Sequence, residues 1–341
     1  MAEQNPVAIV VLNWNGFDDT VQCLTSLRQV DYPSFTVVLV DNGSDHDEGK
    51  RLGEMFPEVH LIANAVNRGF AGGNNDGMRW ALANGFEWVV NLNNDCTVEP
   101  DWLSKLVSGV ASAAADYGSS RIMFHPDRSL ICSDGDAVCP DGSAVAENRG
   151  REYGGWGPRR IISACGAGSI YSARCLKAAM VHGDEAYDEL YFAYYEDADL
   201  GMRLTAASFK GVSVPDAVLY HKHSRSSGDF SRLKVFHSEK NRMLNELLDF
   251  PIYFLPVAES FFAVKVLSFF VSGVLRRRTR GAGYLRNVGA LEMLAVFVRA
   301  RLWILAHAGA IAADRRERKR KGLLSRRVLG VLCWDLSRIV R

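Results

Sequence analysis

Four short apolar runs in the first hundred residues, each closed by a polar or glycine-rich loop, constrain this chain more than any other feature. Residues 7–12 run into Asn13-Trp14-Asn15-Gly16, and residues 35–40 run into Asp41-Asn42-Gly43-Ser44-Asp45. Residues 59–63 precede a glycine-rich stretch at 67–77, and residues 87–92 end at Asn93-Asn94-Asp95. Short apolar runs without polar alternation read as strands buried on both faces. Between them the spacing turns helical. Asp18-Asp19-Thr20 caps a helix carrying Val21, Leu24 and Leu27 on one face, and a further helix passes through Trp80 and Leu82. Strand and helix alternating in this way predict a parallel, doubly wound sheet. Ligands bind such sheets beyond the carboxyl ends of the strands, and Asn13, Asp41, Asn67 and Asp95 all fall at that edge.

The middle of the chain is less regular. Residues 132–157 are rich in Gly, Asp and Ser and predict a long surface loop or hairpin. Cys165-Gly166-Ala167-Gly168-Ser169 enters an apolar segment, residues 188–204 read as a loop leading into a helix, and residues 212–220 read as a strand ending in His221-Lys222-His223.

The net charge of +1 conceals a strong asymmetry. Residues 276–341 hold 17 Lys/Arg against 4 Asp/Glu, so the preceding part is acidic. An acidic body with a basic tail suits an anionic surface as partner. The seven cysteines include no Cys-x-x-Cys pair, which fits reduced thiols in a cytoplasmic protein. The N-terminal residues lack a basic segment followed by an apolar signal region, so secretion is not expected.

Five motifs in order carry a resemblance: residues 7–15, Val40-Asp41-Asn42-Gly43-Ser44, residues 67–75, Leu92-Asn93-Asn94-Asp95 and Tyr195-Glu196-Asp197-Ala198-Asp199-Leu200. Together they resemble the family 2 inverting glycosyltransferases, and within them the bacterial rhamnosyltransferase-like branch, over roughly residues 5–245. The resemblance implies a GT-A fold, a Rossmann-like and mainly parallel sheet, for a catalytic domain at 1–245. It also implies a nucleotide-sugar donor and a divalent cation, Mg²⁺ or Mn²⁺, to neutralise the departing diphosphate. Where the family usually shows Asp-x-Asp, this chain has Asn93-Asn94-Asp95, so Asp95 alone brings charge. Asn93 and Asn94 are left to contact ribose or a metal-bound water. A plain Asn/Asp turn after a strand is the competing reading.

The same resemblance implies that His221 completes the metal shell, with His223 one alignment slip away. It gives Asp41 the role of accepting N3–H of uracil or thymine, which favours UDP- or dTDP-sugars; a tight turn explains Asp41-Asn42-Gly43 equally well. Asn13 and Asn15 are placed to contact the base, and Arg68 or Asn74 the ribose or phosphate. The glycines of 67–77 either admit the nucleotide close to the backbone or merely start a helix. Asp197 is implied as the base that takes the acceptor hydroxyl proton, with Glu196 tuning it or binding acceptor. An acidic helix start favoured by the dipole accounts for the charge of this pair but not for its company. Asp199 reads as a structural i,i+4 partner of Arg203. Tyr191, Tyr194 and Tyr195 read as sugar-stacking or core residues. Gly166-Ala167-Gly168 reads as a tight wall near the donor sugar, and Lys240-Asn241-Arg242 as a basic patch near the diphosphate.

Residues 246–341 read as an amphipathic, basic helical tail. Two apolar stretches, 250–275 and 291–313, are interrupted by Glu259 and Lys265 and by Glu292, Arg299 and Arg301, and basic clusters follow each. Neither is an unbroken membrane span; both suit helices lying on an anionic leaflet. A membrane hairpin and packing on the body or on a second copy, giving a homo-oligomer, are the alternatives. Nucleic acid is not an expected partner, because apolar residues fill the space between the charge clusters. The sequence thus predicts a metal-dependent transferase, peripheral on the inner face of the cytoplasmic membrane, acting on a lipid-linked glycan with dTDP-rhamnose first among donors. The rivals are a sugar-1-phosphate nucleotidyltransferase, whose N-terminal Gly-rich Arg/Lys signature is absent, and a non-catalytic membrane scaffold with a degenerate transferase fold.

Overall fold

The computed structural model describes residues 5–222, 232–275 and 289–335. Its centre is β1 (Val7–Asn13), flanked in parallel by β2 (Phe35–Asp41) on one side and β4 (Trp88–Asn93) on the other, with β3 (His60–Ala63) parallel to β2 at the edge. The reason for the unbroken apolar run is visible at once. Val7, Ile9 and Val11 pack on α1 (Phe17–Leu27) and α4 (Trp102–Ser112), whereas Ala8 and Val10 pack on the opposite layer around α3 (Gly69–Ala83). Both faces of the strand are covered, so neither face can be polar.

Beyond β4 the sheet turns mixed. Strand β11 (Gly168–Ser172) inserts antiparallel between β4 and β6 (Tyr117–Phe124), and β12 (Gly211–His221) lies parallel to β6. Two short strands join the edges, β5 (Cys96–Val98) on β12 and β7 (Ile131–Ser133) on β6. The direction of β11 matters for function. Because it runs against β4, its entry loop Cys165-Gly166-Ala167 sits beside the carboxyl end of β4, where Asn93 N–H donates to Ala167 O at 3.3 Å.

Three expectations need correction. The glycine-rich stretch is the body of α3 rather than a loop: a side chain at Gly73 would meet Leu12 and Asn42, and one at Gly77 would meet Val10. These glycines let the helix lie close on β1. Residues 132–157 do form a hairpin, β8 (Asp136–Val138) with β9 (Ala144–Ala146), but residues 132–143 are largely buried. Their polar composition is tolerated because the acids are paired: Asp134 with Arg121 at 3.2 Å, and Asp141 with Lys265 and Ser143. Lys240-Asn241-Arg242 is likewise buried and is not a free basic patch. Lys240 and Asn241 donate to carbonyls of Leu190, Tyr191, Ala193 and Tyr194, and Arg242 is held by Glu239 and Glu246.

The C-terminal part is helical. After α5 (Ala173–Ala179) and α6 (Glu196–Ala206) come α7 (Arg232–Asp249), α8 (Leu255–Leu275), α9 (Ala290–Ala306) and α10 (Ala308–Arg320), the last two packing on α7 with a bend of 67° between them. Residue 245 therefore lies inside the continuous helix α7.

Candidate functional site at the carboxyl edge of the sheet

Asp41 ends β2 and is almost wholly buried. Asn13, on the neighbouring strand, donates from Nδ2 to Asp41 Oδ1 at 3.1 Å and to Glu48 Oε2 at 3.0 Å, while the Ser44 hydroxyl donates to Asp41 Oδ1 at 2.5 Å. Asn13 is itself fully buried, so it stands behind Asp41 and orients it. Asn15, at φ 50°, bonds Asp45 in both directions and ties the first loop to the second. Gly49 is required here, since a Cβ would come within 2.6 Å of the Asp41 carboxylate. An Asp41→Asn variant is expected to raise the donor KM about 10–100-fold with little change in kcat, the effect of losing a hydrogen bond to a charged group. Steady-state kinetics at varied donor concentration check this.

Arg68 and Asn74 are used differently. The Arg68 guanidinium pairs with Asp76 and, at 3.0 Å, with Glu189. Asn74 is buried, and its amide donates to its own helix at Phe70 O, 2.9 Å away. That geometry keeps Asn74 inside α3 rather than at the sheet edge.

Strand pairing brings the next group together. β5 runs beside β12 with His221 opposite Cys96, which sets Asp95 Oδ1 at 3.0 Å from His221 Nε2. Adjacent ligands of an octahedral cation at about 2.1 Å lie roughly 3.0 Å apart, so this pair fits two positions of such a shell. Burial works against a charge on His221, but Asp95 and Cys132 outweigh it and lift its pKa to about 9. The pair thus stabilises positive charge at this point. Cys96 lies in the same cluster, yet burial keeps it a thiol and it donates to Ala167 O at 3.6 Å. It is not a ligand. Asn93 Nδ2 lies 3.5 Å from His221 Nε2, and Asn94 donates to Thr20 Oγ1 at 2.9 Å. His223 falls outside the described residues.

Asp197 stands in the first turn of α6. Its carboxylate accepts the Gly166 N–H at 3.0 Å and the Ala198 N–H at 2.8 Å. Burial pushes its pKa up and the backbone donors hold it back. Glu196 is buried beside it and pushed well above the carboxylate range by burial and by Asp197. Its Oε2 finds no hydrogen-bond partner among the described residues, which agrees with a neutral acid. The loop Gly166-Ala167 is the common wall: one end bonds Asp197, the other bonds Asn93 beside the Asp95–His221 pair.

The polypeptide before α6 is strained. Phe192, Tyr194 and Tyr195 have φ of 64°, 72° and 69°, a region that non-glycine residues rarely adopt. Tyr191 is fully buried and donates to Asn245 Oδ1 at 2.7 Å, so it is a core residue. Asp199 pairs with Arg203 at 2.6 Å as its spacing predicts. Sequence reading missed Asp136, whose carboxyl oxygen lies within 4.8 Å of that of Asp197 and whose pKa burial and Asp197 raise to about 8. It missed Glu48, Asp76 and Glu189 as well, for none belongs to a local motif.

Comparison with known proteins decides the family. Residues 8–144, which include Asp41 and Asp95, match the profile of Glycosyl transferase family 2. This chain carries a family 2 glycosyltransferase domain. The chain is 28% identical over 120 residues to undecaprenyl-phosphate mannosyltransferase of Micrococcus luteus, covering 34% of this chain and about half (49%) of that protein. It is 26% identical over 243 residues to N-acetylglucosaminyl-diphospho-decaprenol L-rhamnosyltransferase of Mycobacterium tuberculosis, covering 63% and 76% of the two chains. A mannosyltransferase of Pyrobaculum calidifontis, solved with GDP-Man and Mn²⁺, superposes with a TM-score of 0.52 at 14% identity over 94% of this chain and 88% of the other. The fold of the chain is GT-A.

Proposed function

We propose that the chain is an inverting, metal-dependent transferase that moves L-rhamnose from dTDP-rhamnose, or failing that a sugar from a UDP donor, onto a lipid-linked glycan. The observation that carries this reading is the convergence of Asp41, the Asp95–His221 pair and Asp197 on one sheet edge around the Gly166-Ala167 wall. Asp41 would accept the base N3–H. Asp95 and His221 would hold a divalent cation, which supplies neutralisation of the charge that builds on the departing diphosphate. Asp197 takes the acceptor hydroxyl proton as that oxygen bonds the anomeric carbon, and the bond from this carbon to the diphosphate breaks with its electron pair. Rhamnose and a lipid-linked acceptor are suggested by what the mycobacterial relative is named for.

Helices α8 and α9 support a membrane-surface acceptor. Three of their charged residues reach protein partners, Lys265 meeting Asp141, Glu259 lying 3.8 Å from Arg242 and Arg301 lying 3.3 Å from Glu239, while Arg299 is exposed. Their apolar residues face outward, among them Val264, Leu267, Leu291, Leu294, Leu302 and Leu305. The stretch from Ile252 to Phe269 is long and apolar enough to cross a bilayer. An outward apolar face beside a basic tail suits a helix pair seated in an anionic leaflet.

The test is nucleotide release from dTDP-rhamnose, UDP-glucose, UDP-N-acetylglucosamine and GDP-mannose, with a polyprenyl-diphosphate N-acetylglucosamine acceptor and Mn²⁺. Turnover is expected with dTDP-rhamnose or a UDP-sugar and only in phosphatidylglycerol vesicles or detergent. Exclusive use of GDP-mannose, or inertness towards the whole panel, overturns the reading.

A further inference from the structure

We propose that Arg318, on the C-terminal helix α10, is a positioning residue for sugar transfer: it clamps both ends of the segment that carries Asp197. This rests on Asp197 being the base. Arg318 is fully buried and its guanidinium meets four carboxylates from different parts of the fold. Asp188 caps the turn Glu189–Tyr191, Asp199 lies on α6, Asp249 ends α7, and Asp314 is one turn back on α10; the distances to Asp188, Asp249 and Asp314 are 2.5, 2.8 and 3.0 Å.

Asp188 and Asp199 bracket the catalytic pair and also the three left-handed residues Phe192, Tyr194 and Tyr195. Such backbone is unfavourable for a non-glycine residue and persists only where its surroundings hold it. Lys240 and Asn241 grip the middle of the segment through its carbonyls, and Arg318 grips its ends. The other charged groups around the cluster include Arg203, which binds Asp199 and the Ala179 and Ala186 carbonyls, His182, 3.7 Å from Asp314 and 3.9 Å from Asp188, Lys240 towards Asp188 and Arg315 towards Asp249. Without Arg318, the four buried carboxylates lose the one cation that joins them all, and those left without a direct partner must separate or take up protons. Asp199 is two residues from Asp197 in the first turn of α6. It keeps Arg203 but loses its tie to Asp188 and Asp249, so the start of α6 is no longer fixed against the rest of the segment and the Asp197 carboxylate shifts off the Gly166 N–H. The donor residues Asp41, Asp95 and His221 sit on other strands and are untouched.

A misplacement of about 1 Å at a reacting group costs on the order of 10²-fold in rate. Arg318→Met in the full-length chain is therefore expected to lower kcat about 10–100-fold while leaving the donor KM and nucleoside-diphosphate affinity near wild type. Turnover is read with the fastest donor of the panel, and affinity by calorimetry with its nucleoside diphosphate and Mn²⁺. Arg318→Lys, which keeps charge but not the fork, should fall between the two. In Arg318→Ala, millimolar guanidinium should restore part of kcat. Wild-type kcat in Arg318→Met, or equal loss of turnover and nucleotide affinity in both Arg318→Met and Arg318→Lys, overturns the proposal. A fully active Asp197→Asn overturns the base assignment instead, so the two failures are distinct.

Discussion

Asp197→Asn is expected to abolish most sugar transfer, lowering kcat about 10²–10⁴-fold, the usual worth of a general base. Its donor affinity should stay within a few-fold of wild type, because Asp197 touches the Gly166 wall and not the Asp41 or Asp95 sites. The substitution is close to isosteric, but the Gly166 and Ala198 N–H groups are accepted by different carboxylate oxygens, so the amide oxygen remains an acceptor for one of them only. The wild-type pH profile offers a second check. An Asp acts as base only when ionised, so activity falls as pH drops through its pKa. Burial raises that pKa above the ordinary aspartate value of about 3.9. The acid limb should therefore lie above that value in the wild type and disappear from the residual activity of the variant. Full activity in Asp197→Asn would remove the base from this residue.

Asp95→Ala is expected to cost about 10²–10³-fold in turnover, several kcal/mol of charge stabilisation at the leaving diphosphate. Asp95 is the one carboxylate in Asn93-Asn94-Asp95, and its partner His221 is neutral as a ligand. Removing it leaves too little to hold a hard cation. Calorimetric titration with Mn²⁺ and a nucleoside diphosphate should show weakened metal binding in Asp95→Ala, and less so in His221→Gln. Stability should hardly fall, since the aspartate is partly exposed and the β5–β12 pairing rests on backbone bonds. Activity unchanged by chelation in the wild type would sink the metal assignment altogether.

The carboxyl edge of the sheet was legible because Asn13 and Asp41 each end a strand, and Asp95 follows one, whose apolar run is unmistakable. β1 announces itself by seven residues covered on both faces, and Asn13 follows from where that run stops. Asp41 and Asp95 follow in the same way from β2 and β4. Position along the strand did not say which way a side chain is spent. Asn13 faces Asp41 and Glu48, and Asn74 turns back into α3, because the acceptors within reach are set by neighbours up to 35 residues away. The glycines of α3 imitate a phosphate loop in sequence, yet Gly73 and Gly77 answer to Leu12 and Val10 across the helix–sheet contact.

Polar composition misled most where burial is paired at long range. Residues 132–143 read as surface because unpaired acids cannot be buried, and the partners that permit it, Arg121 and Lys265, are far off in the chain. The same holds for the basic tail. Arg318 looked like one more cation for an anionic leaflet, and the fold turns it inward onto Asp188 and Asp199.

The sequence alone determined the parallel part of the sheet and which residues end its strands, because strand burial and strand ends are local properties of the chain. Tertiary structure alone decided which groups touch. Antiparallel insertion of β11 put the Gly166-Ala167 wall between Asp197 and the Asp95–His221 pair, Asp136 came up behind the base, and a C-terminal arginine closed over the catalytic helix. Contacts of that kind depend on the packing of elements from 31 to 130 residues apart, and a linear pattern carries no record of them.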